Sequence, residues 1–344
     1  MYKAIDFFCG CGGMTYGLRQ ADINVIAGVD VDNAAKETYE FNNPGSLFVS
    51  SDIKKLELDY FERKFSVQRN DDNLILIGCS PCQFYSIINS DKNKSKQSKD
   101  LLKNFVKFID YYKPGYVLVE NVPGIVTNKD SVLPHFLSRL EELGYKITYD
   151  IVDMSMYGVP QSRKRFSLIA TRLDVDIALP QKDKKQALLK NFIGKKNGFP
   201  PIRAGHKDLS DFIHTTAGLS DKNLQRIAKT RHDGGSRFDW ADDENLQLKC
   251  FIGRDNSFVD TYGRMSWNRP APTITTKFIS ISNGRFGHPE EDRGISLREG
   301  ATLQTFPKEY VFKSNSISEI AKFIGNAVPC EYARRLGEVI TNLK

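Results

Sequence analysis

Cysteine is scarce in this chain, with six residues in 344. That number, irregularly spaced, excludes the disulfide scaffold of a small secreted domain. Cys9-Gly10-Cys11 and Cys79-Ser80-Pro81-Cys82 leave a metal or redox reading open. Against it, no histidine or further cysteine falls at zinc-finger spacing, and the first pair lies in a glycine-rich turn. No metal is expected. Long hydrophobic runs are also missing, and none approaches the length that crosses a bilayer. The first residues pass straight into a strand pattern without a basic-then-apolar leader, so the expectation is a soluble cytoplasmic protein with no membrane partner. Internal repeats are absent. Charge of one sign is in slight excess, 49 Lys and Arg against 42 Asp and Glu, or +7. That leans toward polyanionic partners, a lean that many proteins show without touching nucleic acid.

What is present is alternation. Short apolar strands and helical patterns follow one another through the first half, which implies a parallel sheet flanked by helices. Strands are expected near 4–8, 25–30, 47–50, 74–78, 116–120, 146–152 and 166–171, with helices around 14–21, 33–42, 100–112 and 131–143. In the last of these, Leu133, Phe136, Leu137, Leu140 and Leu143 recur at helical spacing and mark a core face. The alternation stops near residue 172. From Leu173 to about Asp260, lysine-rich, Gly/Pro-punctuated sequence takes over, as in Gly198-Phe199-Pro200-Pro201. Apolar patches resume near Arg264, and 317–342 reads as an amphipathic helix interrupted by Gly325-Asn326-Ala327-Val328-Pro329 and packing back on the first domain. The expected fold is α/β, with a mostly parallel sheet formed by 1–172 plus 317–344 and a smaller, irregular domain over 173–316. The length suffices for two cores.

Asp6-Phe7-Phe8-Cys9-Gly10-Cys11-Gly12-Gly13 follows the first strand and opens a helix. Glycines there permit a tight turn and close approach of a ligand to the main chain. The loop lacks the Gly-Lys-Ser/Thr ending of a phosphate-cradling P-loop. Asp30 ends the second strand, where a carboxylate accepts from ribose hydroxyls, and Asp52 follows the third, where it can accept from an adenine amino group. An adenosine-bearing, cationic ligand without phosphates fits these acids, and S-adenosyl-L-methionine is such a ligand. The alternative is that both acids cap the helices that follow them.

The fourth strand, Leu74-Ile75-Leu76-Ile77, delivers Gly78-Cys79-Ser80-Pro81-Cys82-Gln83 to the carboxyl edge of the sheet, where open α/β folds bind ligands. Pro81 stiffens the turn that presents Cys82, a candidate nucleophile whose alternative is an inert loop cysteine. The fifth strand delivers Glu120-Asn121-Val122-Pro123-Gly124 to the same edge. Glu120 is a candidate proton donor there, or a carboxylate tied to a backbone amide or a nearby arginine. Arg163 and Arg165, at period two before another apolar strand, are expected to share a face and stabilise a substrate oxygen.

Taken in order, Phe-x-Gly-x-Gly-Gly, Pro-Cys-Gln, Glu-Asn-Val, Gln-x-Arg-x-Arg, Arg-Pro-Ala-Pro-Thr-Ile-Thr (269–275) and Gly-Asn-Ala-Val-Pro (325–329) resemble the cytosine-5 DNA methyltransferase family. The resemblance covers the chain except about 173–262, where that family keeps a variable target-recognition region. It implies an S-adenosylmethionine-dependent, Rossmann-like fold and a methyl group transferred to carbon 5 of a cytosine in double-stranded DNA. Carbon 5 is a poor nucleophile, and the family activates it by adding a cysteine thiolate to carbon 6. Cys82 matches that nucleophile. Glu120 matches the residue that engages N3 and the exocyclic amino group, Asn121 the residue that holds its loop, and Arg165, with Arg163 in support, the contact to the cytosine carbonyl. Water serves as the base that removes the carbon-5 proton.

For the cofactor, the resemblance carries over Phe8, Gly10, Gly12, Gly13, Asp30, Val31, Asp52, Ile53 and Pro81, with Asn326 and Val328 at the methionine end. Asp30 stands where Glu is common, Val31 where an aromatic is frequent, and Cys9 and Cys79 where small residues are usual. A duplex hides the cytosine ring, so the base must be flipped out. The lysine-rich stretch 89–99 then reads as a loop closing over phosphates, with Ser86, Lys92, Lys94 and Lys96 as DNA contacts. Across 173–262 the charges roughly balance. Within it, Asp233-Gly234-Gly235-Ser236-Arg237-Phe238-Asp239-Trp240 offers Arg237 as a guanine reader, or else a structural turn with Trp240 in a small core.

The expected activity is that of a bacterial modification enzyme, monomeric by default; whether a cognate restriction endonuclease acts separately beside it stays open. It would reside in the bacterial cytosol and associate with the nucleoid. Two alternatives stay open: an enzyme of the same fold acting on tRNA, and a catalytically dead DNA-binding relative, against which Cys82, Glu120 and Arg165 all argue. An amino-methyltransferase would carry Asn or Asp before Pro-Pro and an aromatic, where this chain has Ser80-Pro81-Cys82.

Overall fold

The computed structural model describes residues 1–81, 100–253 and 257–343. Cys82, Ser86, Lys92, Lys94 and Lys96 lie outside the described residues. The chain forms two compact units: 1–153 with 164–182 and 328–344, and 154–163 with 183–327. The sequence pattern suggested a division at 172 and 317; contacts divide the chain instead at 153, 163, 182 and 327.

The first unit is built on a seven-stranded sheet, β1 (Lys3–Phe7), β2 (Asn24–Asp30), β3 (Leu47–Ser50), β4 (Leu74–Gly78), β5 (Tyr116–Asn121), β6 (Lys146–Asp153) and β8 (Lys164–Thr171), in the order β3-β2-β1-β4-β5-β8-β6. β1 to β5 run parallel, whereas β8 is antiparallel to both β5 and β6. The mostly parallel sheet expected from the alternation is present. β4 and β5 are buried along their whole length, as near-continuous Val/Ile/Leu runs demand of parallel strands covered on both faces. Their cover comes from α4 (Leu101–Tyr112) and α6 (Leu133–Glu142), whose Phe105 and Phe136 rings stack 6.4 Å apart in the core with Phe7 and Phe108.

α1 (Gly13–Arg19) packs on the last helix, α10 (Cys330–Thr341), so closely that a Cβ at Gly17 would sit 2.2 Å from the Cys330 carbonyl oxygen. Two short helices, α3 (Tyr60–Phe65) and α5 (Gly124–Thr127), were not anticipated. One turn or two of helix gives too few positions for a 3.6-residue period to emerge.

The second unit has little regular structure. β7 (Gln161–Ser162) pairs in parallel with β9 (Ala271–Pro272), and the helices are α7 (Asp221–Lys229), α8 (Leu297–Leu303) and α9 (Ile317–Asn326). Ile227, Trp240, Leu246, Tyr262 and Ile281 form one of its cores. Loop carbonyls buried without a ladder must find donors elsewhere. Arginine, with five N–H groups in a rigid fork, supplies them. Arg264 is fully buried and donates to the carbonyls of Ile227, Thr230, His288 and Glu291. Arg298, also fully buried, does the same for Asp211, Phe212, Pro307 and Tyr310.

No helix among the described residues is long and apolar enough to cross a membrane.

Candidate functional site

In the first unit, strand order reverses between β1 and β4, and open α/β sheets place their ligand crevice at such a switch point, beyond the carboxyl ends of the strands. The glycine-rich loop leaves β1 there and Cys79-Ser80-Pro81 leaves β4. Backbone sterics explain the glycines: Gly10 and Gly12 have φ of 51° and 95°, values that L side chains rarely adopt. The Phe8 and Cys9 amides both donate to the Val29 carbonyl, and the Gly12 amide closes the turn on Cys9. Asp30, at the end of β2, holds this loop in place. Its Oδ2 accepts from the Gly10 amide at 2.9 Å and its Oδ1 from the Asp32 amide at 2.8 Å. Burial pushes its carboxyl up from the ordinary value. Each oxygen keeps a lone pair for a further donor, as a ribose-binding acid requires.

Val31, 72% exposed, and the half-buried Phe8 flank Asp30 in sequence or through the Val29 pairing, while Ile53 is buried. Asp52 lies two residues beyond β3, and its Oδ1 accepts from the Lys54 amide at 3.0 Å, so it caps the following turn. A carboxylate with free lone pairs at the end of β2, apolar neighbours and a loop without side chains at its tight points fit an adenosine-bearing cofactor. Asn326 is exposed at the end of α9 in the second unit, and Val328 is buried in the first.

Beneath the loop lies a group the motif reading left unused. Asp6 is fully buried, accepts on Oδ2 from Thr15 Oγ1 (2.7 Å), and among the described residues has no hydrogen-bond partner on Oδ1. Burial pushes its carboxyl up to about 7, with the Asp30 charge adding to the rise and the Thr15 hydroxyl opposing it. The folded state therefore holds a proton that the unfolded chain, at 3.8, releases. Its stability relative to a neutral side chain is retained below pH 4 and is lost as pH rises through 7. Asp6→Asn is expected to gain stability over wild type between pH 4 and pH 8, by roughly 4 kcal/mol for a shift of that size. Urea unfolding at both pH values measures it, and a pH-independent difference would contradict it.

The neighbouring thiols are inert. Burial pushes Cys9, Cys79 and Cys330 well up and Cys11 up to about 12, so none is a thiolate at neutral pH.

At the ends of β4 and β5, Asn121 ties two strand exits together. Its Nδ2 donates to both the carbonyl and the hydroxyl of Ser80 at 3.1 Å, and its Oδ1 accepts from the Val122 amide at 2.9 Å. The clamp grips the chain two residues before Cys82. Glu120, 7% exposed, precedes it. Because β8 runs back against β5, pairing Ser167 with Glu120 and Phe166 with Asn121, the start of β8 lies at the same edge. Arg165 Nε thereby comes within 3.2 Å of Glu120 Oε1. That N–H is not aimed at the oxygen, and the buried Oε1 has no hydrogen-bond partner, so the pair is held by charge and proximity. A buried carboxylate oxygen without a donor is costly unless something else supplies one.

Arg163 has structural partners of its own. It lies between β7 and β8, so the period-two argument does not carry across it, and it falls in the second unit. There its Nη1 donates to the Ile274 carbonyl and its Nη2 to that of Ala327. Gln161 works alongside, its Oε1 accepting from the Ile274 amide and its Nε2 donating to the Leu303 carbonyl and to Gln304. Gln304 in turn donates to the Ile324 and Ala327 carbonyls. The Gln-x-Arg motif is thus the knot between the 269–275 and 325–329 segments. Gly325 makes that knot possible, since a Cβ there would lie 2.4 Å from Thr275 backbone.

Arg237 is also put to structural use. It is 4% exposed, lies 4.3 Å over the Phe238 ring and 4.6 Å over that of Phe251, and donates to the Ser257 carbonyl. Ser236 and Asp239 form a capping box around it, and Trp240 is buried with its Nε1 on Thr230. The structural turn, rather than a presented base reader, is what the fold contains.

The model of the C-5 cytosine-specific DNA methylase family matches residues 2–342. The chain belongs to that family. It is therefore a DNA cytosine-5 methyltransferase by class, acting on DNA, and its family implies S-adenosyl-L-methionine as methyl donor. Among curated relatives it is 37% identical over 343 residues to the Type II methylase M.HgiDII of Herpetosiphon aurantiacus, covering 98% of this chain and 94% of that protein. It is 28% identical to the Type II methyltransferase M.NgoFVII of Neisseria gonorrhoeae, covering 95% and 83%. Among solved structures, a putative DNA modification methyltransferase encoded within an Escherichia coli prophage matches with a TM-score of 0.74 at 22% identity over 100% of this chain and 99% of that one, a likeness of fold.

Proposed function

We propose that this methyltransferase modifies one cytosine within a short duplex sequence, through a covalent adduct on Cys82, as the modification partner of a restriction endonuclease. The observation that supports it most directly is the meeting of three strand ends. Asn121 clamps Ser80 just before Cys82, and Arg165 lies against Glu120 on the adjoining strand. Nucleophile, acid and cation would then face one flipped base.

Cys82 adds its thiolate to carbon 6. Glu120 stabilises the charge that develops at N3 and the exocyclic amino group, and its unpartnered Oε1 is free to take a donor from the base. Arg165 holds the cytosine carbonyl. The loop at Gly10 and Gly12, with Asp30, Asp52, Val31 and Ile53, would hold S-adenosyl-L-methionine, which supplies an electrophilic methyl group when bound. After transfer, the carbon-5 proton leaves to water and the thiolate departs, restoring the ring. Lys92, Lys94 and Lys96 would close over the phosphates. A cytosolic monomer suffices for this chemistry.

Bisulfite sequencing of DNA from cells expressing the protein tests the activity and the target together. Protected cytosines at one recurring short sequence are expected. Conversion everywhere, with methyl transfer to tRNA in vitro, would sink the DNA reading.

A further inference from the structure

The rough charge balance across 173–262 conceals two opposed parts. Residues 184–207 contain six lysines, one arginine and no Asp or Glu. Their seven positive charges equal the net charge of the whole chain, so the rest, with 42 of each sign, is neutral. Lys184, Lys185, Lys190, Lys195, Lys196, Arg203 and Lys207 are all exposed, and none is an ion-pair partner among the described residues.

A run of like charge is ordinarily a disordered tail. This one is pinned along its length within the second unit. The Asp183 amide donates to the Met156 carbonyl (2.8 Å), that of Ala187 to Ser155 (2.9 Å), that of Leu189 to Arg269 (3.0 Å) and that of Lys190 to Trp267 (3.1 Å). Leu189, Ile193 and Phe199 are 0%, 1% and 2% exposed and anchor the strap inward. Asn197 Nδ2 donates to the Lys190 and Ile193 carbonyls, and further on the Ile202 amide donates to Glu291 and the Gly205 amide to the Ala217 carbonyl. Apolar side chains turn in, and cations are left in water at fixed stations. Among the described residues no ion pair relieves their mutual repulsion.

We propose that the 184–207 strap is a phosphate-binding track that engages the backbone of duplex DNA without regard to base sequence. The inference rests on the chain acting on DNA. Lysine is a hydrated point charge on a flexible stem, suited to phosphates, and contacts to phosphate carry no base code. Bound phosphates would relieve the repulsion and release counterions. The track supplies general affinity, while discrimination between sequences lies elsewhere.

The test is fluorescence anisotropy of the full chain on two labelled duplexes, one with and one without the methylated sequence, over a range of NaCl. The variant is Lys184→Gln/Lys185→Gln/Lys195→Gln/Lys196→Gln, and the control is Lys64→Gln/Lys103→Gln/Lys107→Gln, exposed lysines of the first unit. In the variant, the slope of log K against log salt should fall by about 2–4, at roughly 0.9 per lost phosphate contact. Affinity should fall by more than about tenfold at low salt, by the same factor on both duplexes. The control should keep the wild-type slope. An unchanged slope in the variant, an equal drop in the control, or a loss confined to the target duplex would overturn the track. Wild type that neither binds nor methylates duplex DNA would instead sink the proposed activity, and the track's partner with it.

Discussion

Cys82→Ser abolishes methyl transfer while DNA binding survives. The thiolate is both the strongest nucleophile a side chain offers near neutral pH and a good leaving group, whereas an un-ionised serine hydroxyl is neither. Removing a nucleophile that acts within a concerted set lowers turnover by at least about 10⁴-fold. Binding is spared because the contacts to phosphate do not involve that sulfur. Retained turnover would sink the covalent route. A second readout separates a missing nucleophile from a displaced one. On duplexes carrying 5-fluorocytosine at the target, fluorine replaces the proton that must leave carbon 5, so elimination stalls with the Cys82 sulfur still bonded to carbon 6. Wild type should therefore give a complex that survives denaturation, and Cys82→Ser should give none. Absence of the wild-type complex would count against thiol addition altogether.

The sheet was legible in the sequence because buried parallel strands are short, apolar and bounded by turn residues. Leu74–Gly78 and Tyr116–Asn121 are examples, and the loops at their ends carry the motifs. Direction was not legible. A strand reads alike both ways, so nothing in Lys164–Thr171 announced that it runs antiparallel to β5. That reversal is nevertheless what brings Arg165 to Glu120.

The same limit explains Arg163 and Arg237. Charge and spacing mark an arginine as important, but whether its fork faces a substrate or a loop carbonyl depends on distant segments. Arg163 meets Ile274 and Ala327, more than a hundred residues away. Asp6 escaped notice because a single buried carboxylate beside a glycine loop has no periodicity. Its signal was its position, an acid set between apolar residues near the end of β1. In the irregular unit, the loss of alternation after residue 172 announced the missing strands but not what replaces them, which is a set of buried arginines.

Breaking the most buried of those arginine contacts carries the largest expected loss of stability. Arg293 and Glu299 are both fully buried and pair in a fork, Nη1 to Oε2 at 2.7 Å and Nη2 to Oε1 at 2.9 Å. Arg293 Nε also donates to Glu291, and Glu299 Oε2 accepts from the Ser296 amide, closing the capping box at the start of α8. Burial opposes charge on Glu299, yet the Arg293 fork outweighs it and holds the carboxyl at about 2, below its ordinary 4.5. A depressed carboxyl contributes stability above pH 4.5 and loses it as pH falls toward 2.

His288 shifts in the same sense. Its Nδ1 accepts from the Glu290 and Glu291 amides, and burial lowers its pKa, so protonation below about 6.5 favours the unfolded chain. Glu299→Gln removes the fully buried one of the two carboxylates on Arg293 and leaves only Glu291 as its counter-charge, a loss of about 3 kcal/mol, the lower end for a broken buried pair. For a unit of this size that lowers the melting temperature by roughly 10 °C at pH 7. Arg293→Met should cost a similar amount, for the opposite orphaned charge. Arg293→Met/Glu299→Leu should be less destabilised than the sum of the single changes, because it removes both charges together. Calorimetry of the four proteins at pH 7 and pH 4 decides it. Additive losses at either pH would show that the fork is not what holds this unit together.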